Sequence, residues 1–120
     1  MLFYDDQARL FKALSHPARL AILDILRDGE HCVCHIETAL GYRQAYISQN
    51  LTLLRDTGLV ADRREGWNIF YRVTKPEVFD LMDAAQALVG PRPSRRARSG
   101  KISNCPCPHC NPKAEPAGCG

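Results

Sequence analysis

The chain has 120 residues, 45% hydrophobic and 24% charged, enough for one compact domain, and no apolar run approaches the roughly 20 residues a membrane helix needs. Its start, Met1-Leu2-Phe3-Tyr4-Asp5-Asp6, lacks the basic region, apolar stretch and cleavage site of a secretory signal, so a cytoplasmic location is expected and six cysteines read as metal ligands or redox thiols, not a disulfide framework. The formal charge of +3 is uneven: residues 1–90 carry ten Lys/Arg against twelve Asp/Glu, and residues 91–120 carry six against one, so any nucleic-acid surface on the globular part must come from local placement of arginines.

Leu10, Phe11 and Leu14 give the apolar spacing of a short helix from Asp5 to Leu14, with Leu2 and Phe3 as an apolar lead-in. Pro17 fits the first position of a second helix carrying Leu20, Ile22, Leu23, Ile25 and Leu26, which Gly29 ends; His16, beside that start, reads as structural. A third helix begins near Cys32, carries Val33, Ile36, Ala39 and Leu40, and stops near Gly41. The fourth spans about Gln44 to Asp56. Ile47, Leu51 and Leu54 face its core side, while Ala45, Ser48, Gln49, Thr52 and Arg55 gather elsewhere as a short, polar face. Two helices joined by Gly41-Tyr42-Arg43 form a helix-turn-helix layout, in which early residues of the second helix meet base edges.

Leu59 to Arg64 and Ile69 to Val73 are two β-rich runs around Glu65-Gly66-Trp67-Asn68, a hairpin that reads as a wing after the recognition helix. Thr74 and Glu77 have the spacing of a capping box for a last helix, whose apolar residues Val78, Leu81, Met82, Ala85, Leu88 and Val89 make a long stripe. With the first helix, that stripe is a plausible twofold dimer face; packing against the hairpin is the alternative. The expected architecture is mainly α with a β-hairpin wing: a winged helix-turn-helix, homodimeric through the first and last helices. Residues 1–90 form this DNA-binding and dimerisation domain, 91–104 a basic flexible linker and 105–120 a Cys-rich C-terminal tail. For DNA, Gln44, Ser48, Gln49 and Thr52 are the candidates on the recognition helix, and Arg43, Arg63 and Arg64 the candidate phosphate contacts, with Arg72 a further one.

Cys32-Val33-Cys34-His35 places two thiols at a helix start, where the helix dipole favours the thiolate and where residues straddling the first turn can converge on one ion. His31 and His35 themselves read as polar surface residues. Cys105-Pro106-Cys107-Pro108-His109-Cys110 packs four possible ligands into six residues. A spacer from Val89 to Cys105 spans roughly 20 Å by flexible-chain scaling, enough to return to Cys32 and Cys34. The preferred site is therefore Cys32 and Cys34 with one or two of Cys105, Cys107 and Cys110; a separate zinc knuckle in the tail is the alternative. Three thiolates suit As(III), and four suit Cd(II), Pb(II) or Zn(II).

From Leu10 to Val73 the chain resembles the winged-helix metal-responsive repressors of the ArsR/SmtB family. The resemblance is carried by Ala13-Leu14-Ser15-His16-Pro17-Ala18-Arg19, Cys32-Val33-Cys34, Ser48-Gln49-Asn50-Leu51 with Leu54, Gly58-Leu59-Val60, and Arg64-Glu65-Gly66 followed by Tyr71. It implies a homodimer that represses from double-stranded operator DNA and leaves it when a soft ion binds. The Cys-Val-Cys segment resembles the third-helix site of the arsenite and cadmium/lead sensors. Position 37, where many arsenite sensors add a third cysteine, is Glu37, so the tail is the available donor. No histidine lies in residues 77–89 to match the family's zinc site on the last helix. The other reading of the same cysteines is a thiol redox or sulfide-responsive repressor, with Cys34 bridging to a tail cysteine. No motif sets a catalytic base beside a nucleophile, so the chain is not read as an enzyme.

Overall fold

Residues 2–91 are described by a computed structural model, and the residues beyond them, including the expected linker and the tail thiols Cys105, Cys107 and Cys110, lie outside the described set. Helix α1 is Leu2–Leu14 and α2 is Pro17–Ile25, followed by a 3-10 turn at Leu26–Asp28. Strand β1 (His31–Cys32) leads directly into α3 (Val33–Leu40), then come α4 (Gln44–Asp56), β2 (Val60–Glu65), β3 (Asn68–Val73) and α5 (Glu77–Val89). Helix α1 begins before the expected Asp5, and in this first turn Phe3 is 66% and Tyr4 63% exposed.

The core sits where α2, α3 and α4 meet. Ile22, Leu23 and Ile25 of α2, Val33 and Ile36 of α3, and Ile47, Leu51 and Leu54 of α4 are all fully buried. Each such side chain contributes about 1.5–3 kcal/mol relative to exposure. Leu59, Val60, Tyr71 and Val78 extend this core under the sheet and the first turn of α5.

Polar contacts at the helix ends set how the helices meet. His16 is extended (φ −157°, ψ 129°), and its Nδ1 accepts the Ala18 N–H at 3.1 Å, capping α2 just before Pro17. A neutral ring that accepts through Nδ1 carries its proton on Nε2, which therefore donates to the Tyr46 hydroxyl of α4 at 3.2 Å. Arg19 donates through Nε to Asn50 Oδ1 of α4 at 3.1 Å and through Nη1 to the Ala13 carbonyl at 3.1 Å, closing the C-terminal turn of α1. Asn50 is buried, and its amide donates to the Tyr46 carbonyl at 2.9 Å. Three helices thus share one polar junction.

The sheet has the order β1-β3-β2, antiparallel throughout. The hairpin matches expectation; β1 is the addition. His31 pairs with Tyr71 and Cys32 with Phe70, while across the hairpin Asp62 pairs with Tyr71 and Arg63 with Phe70. Paired residues in neighbouring strands point to the same face, so Cys32, Phe70 and Arg63 form one row on the side opposite Tyr71, with Cys32 and Phe70 buried.

One expectation about α5 is corrected. Thr74 and Glu77 do not form a capping box: Pro76 occupies the cap position, Glu77 is the first helical residue, and the Thr74 hydroxyl donates to the Gly58 carbonyl at 2.7 Å. The Thr74 N–H also bonds the Leu59 carbonyl, so the residue is engaged with the turn after α4. Farther along α5, Leu81 and Met82 pack against the core edge, whereas Leu88 is 90% and Val89 81% exposed. Phe11 of α1 is also exposed. The two outer helices therefore keep apolar surface toward solvent.

His16→Ala should cost about 1 kcal/mol, the usual value of a helix N-cap, and His16→Asn, which can also cap, should recover most of it. Urea unfolding at fixed protein concentration reads this; equal loss in both variants would show that capping is not what His16 contributes.

Candidate DNA-binding face and thiol centre

Gly41 ends α3 in the left-handed conformation (φ 76°, ψ 9°), with its N–H on the Glu37 carbonyl at 2.8 Å, and this turn sends the chain into α4. Arg43 is extended at the cap of α4 and exposed. Gln44, Gln49 and Thr52 are exposed and Ser48 is half-buried, on the side opposite Ile47, Leu51 and Leu54. The Thr52 hydroxyl donates to the Ser48 carbonyl at 2.9 Å, which leaves its lone pairs and methyl group to face a partner. Tyr46 and Asn50, on the same helix, turn inward to the polar junction instead.

The two arginines expected to act together on the wing are placed differently. Arg64 is exposed. Arg63 donates through Nε to both carboxylate oxygens of Glu30, at 2.8 and 3.0 Å, bonds Glu30 again through Nη2, and reaches Glu65 Oε2 through Nη1 at 2.8 Å. These hydrogen bonds, from Glu30 first and then Glu65, raise its pKa above the ordinary arginine value. Its guanidinium also lies 5.0 Å from the centroid of the Phe70 ring. Arg55 of the recognition helix pairs with Asp62 of β2 at 3.0 Å, joining α4 to the wing. At the tip, Gly66 takes φ 62° and Trp67 is 68% exposed.

Cys32 is the last residue of β1 and the cap of α3, and Cys34 lies in the first helical turn. Both are buried, and their Sγ atoms are 2.9 Å apart. That is far longer than the S–S bond of about 2.05 Å. Cys34 is itself disulfide-bonded, so this contact is not that bond. The two sulfurs thus lie side by side at the helix start.

The flanking histidines are not surface residues. His31 and His35 are 3% and 0% exposed, and their rings stack with centroids 4.0 Å apart and planes 9° from parallel. His31 Nε2 is 3.0 Å from Asp28 Oδ1. Strand pairing by His31 and the i, i+4 relation of the two rings bury what an isolated reading of polar residues leaves outside. Among the described residues, no group of three or more His, Cys, Asp or Glu side chains is arranged to hold a metal ion.

Residues 16–62 match the bacterial regulatory protein, arsR family. The chain is 42% identical over 83 residues to the biofilm growth-associated repressor of Agrobacterium fabrum, covering 69% of this chain and 71% of that one. It is 45% identical over 67 residues to the arsenical resistance operon repressor of Escherichia coli, covering 55% and 57%. A solved structure of the homodimeric winged helix-turn-helix DNA-binding domain of Mb0332 from Mycobacterium bovis superposes with a TM-score of 0.65 at 40% identity, covering 73% of this chain and 82% of that domain. The helix-turn-helix, the hairpin after it and these likenesses agree: the chain belongs to the arsR family of bacterial regulatory proteins.

Proposed function

We propose that the chain is a homodimeric, operator-binding transcriptional repressor that leaves DNA when the Cys32–Cys34 pair is captured by a soft ion. The observation that carries the thiol part is the 2.9 Å approach of the two sulfurs at the point where β1 becomes α3, one helix ahead of the recognition helix. Dimerisation is supported by the exposed apolar ends of α1 and α5 and by the homodimeric structural neighbour. DNA binding is supported by the exposed polar face of α4, on which Gln44, Ser48, Gln49 and Thr52 read bases while Arg43 and Arg64 hold phosphates.

Once Cys34 is reduced from its disulfide, it and Cys32 are a fitting start for As(III), Cd(II), Pb(II) or Zn(II), which favour sulfur donors. Thiolates about 2.3 Å from one tetrahedral ion stand roughly 3.8 Å from each other. To hold such an ion the two sulfurs must move apart, after Cys34 is released from its disulfide. Because Cys32 is paired in a strand and Cys34 lies in a helix, that parting turns α3, and with it the helix-turn-helix, against the sheet. One or two of Cys105, Cys107 and Cys110 complete the ligand set on this reading. The likeness to the arsenical resistance operon repressor supports a metalloid inducer.

A second reading, release on oxidation, is favoured by one observation: Cys34 is disulfide-bonded. Here the closing of a disulfide or polysulfide at Cys34 replaces ion capture as the event that moves α3.

Operator binding by the reduced protein, titrated with each ion and separately with oxidant, decides between the two. Cys32→Ser combined with Cys34→Ser should bind operator as the parent does and stay bound when As(III) or Cd(II) is added. Release of that double variant would refute the thiol reading. For the DNA face, Arg64→Ala should weaken all DNA alike and lower the salt slope by about 1, whereas Gln49→Ala should change which operator bases are preferred. The reverse pattern in binding curves over a salt series would exchange their roles.

A further inference from the structure

We infer that Arg63 is a positioning residue, a strap that fixes the wing to the thiol-bearing segment and relays its movement, and not a phosphate contact. This rests on the proposed thiol reading for what moves, but on geometry alone for what is strapped.

Strands β1 and β2 are not neighbours; β3 lies between them. Arg63 on β2 crosses that gap over the Phe70 ring of β3 and grips Glu30, the residue immediately before β1, with a two-oxygen contact. Cys32, Phe70 and Arg63 stand in one row of the sheet, so the strap spans the three strands at the level of the thiol. A lone surface ion pair contributes little. This one is two-pronged, backed by a ring and shared with Glu65, which gives it a fixed direction as well as an attraction.

The electrostatics point the same way. Glu30 and Glu65 already compensate the charge of the Arg63 guanidinium, which weakens its pull on a phosphate. Three of the guanidinium's donors are engaged. A phosphate would have to share the guanidinium with both carboxylates. Glu30 lies two residues before Cys32, so any shift of Cys32 as its sulfur parts from Cys34 is passed to Glu30 and across the strap to the wing.

The test measures operator affinity of the full, reduced protein over a salt series, and its loss on adding As(III) or Cd(II), for the parent, Arg63→Ala, Glu30→Gln and the exchanged pair Glu30→Arg with Arg63→Glu. The strap predicts an unchanged salt slope for Arg63→Ala. It also predicts that the inducer's effect on affinity shrinks fivefold or more in both single variants and returns in the exchanged pair. Trp67, the chain's only tryptophan and the wing tip, gives a readout without DNA: its emission should shift with inducer in the parent and the exchanged pair but not in Glu30→Gln.

A salt slope lowered by about 1 in Arg63→Ala overturns the inference in favour of a phosphate contact. Undiminished release in Glu30→Gln overturns the relay. A parent complex that ignores every ion and oxidant sinks the thiol reading and the relay together, and the salt slope then still decides whether Arg63 is strap or phosphate contact.

Discussion

The fold turns on one handover of backbone, from strand to helix, at Cys32. His31 and Cys32 are paired with Tyr71 and Phe70, and the next residue, Val33, is already helical and fully buried. Register here has no slack. Moving the chain by one residue would bring Val33 out of the core and put Cys32 in its place, so burial of Val33 and Ile36 holds Cys32 on the opposite face, in line with Phe70 and Arg63. A two-residue strand is a weak element by itself, and it persists because the core pins α3 on one side while β3 supplies hydrogen-bond partners on the other. Wing and helix-turn-helix are thereby joined through a segment that also carries the sulfur pair.

A second joint lies at the far end of the helical layer. Arg19, Asn50, Tyr46 and His16 couple the C-terminus of α1, the N-terminus of α2 and the middle of α4. Asn50 is buried, and a buried polar group costs free energy unless it is satisfied, so this network favours one relative placement of the three helices. The consequence for the proposed repressor is that α4 is indexed to α1, one of the two helices with exposed apolar surface. Spacing between two recognition helices in a dimer is then a property of the protomer's interior as well as of its interface.

What could be read in the sequence was whatever repeats locally. Ile47, Leu51 and Leu54 announced the buried side of α4, Gly41 its preceding turn, and Gly66 between two β-rich runs the wing, because period and turn chemistry are written within a few residues. β1 was not legible, since its signal consists of Phe70 and Tyr71, far along the chain. Arg63 looked like Arg64 beside it; the difference is Glu30, 33 residues earlier, brought near only by the sheet. Thr74 matched a capping pattern, yet its hydroxyl had a better-placed acceptor in the Gly58 carbonyl. Likewise His31 and His35 carry no mark of burial in their own residue types. Their stacking follows from a strand and a helix meeting between them. The closeness of the Cys32 and Cys34 sulfurs was legible because both lie within three residues of one helix start.

The charge distribution explains why so small a rearrangement could control DNA binding on the proposed reading. Residues 1–90 hold more acidic than basic groups, so they present no broad field to a polyanion. Arg63 is taken by Glu30 and Glu65, and Arg55 by Asp62, which leaves, among the described residues, exposed Arg43, Arg64 and Arg72 near the recognition helix and wing. Affinity that depends on a few phosphate contacts per protomer is sensitive to their alignment, because each contact contributes separately to counterion release and a misplaced wing forfeits its own. A strongly basic domain would stay on DNA in either arrangement. On the proposed reading residues 1–90, poor in spare positive charge, hold DNA only when α4 and the wing are both in register with the groove, and the β1–α3 handover sits between the two.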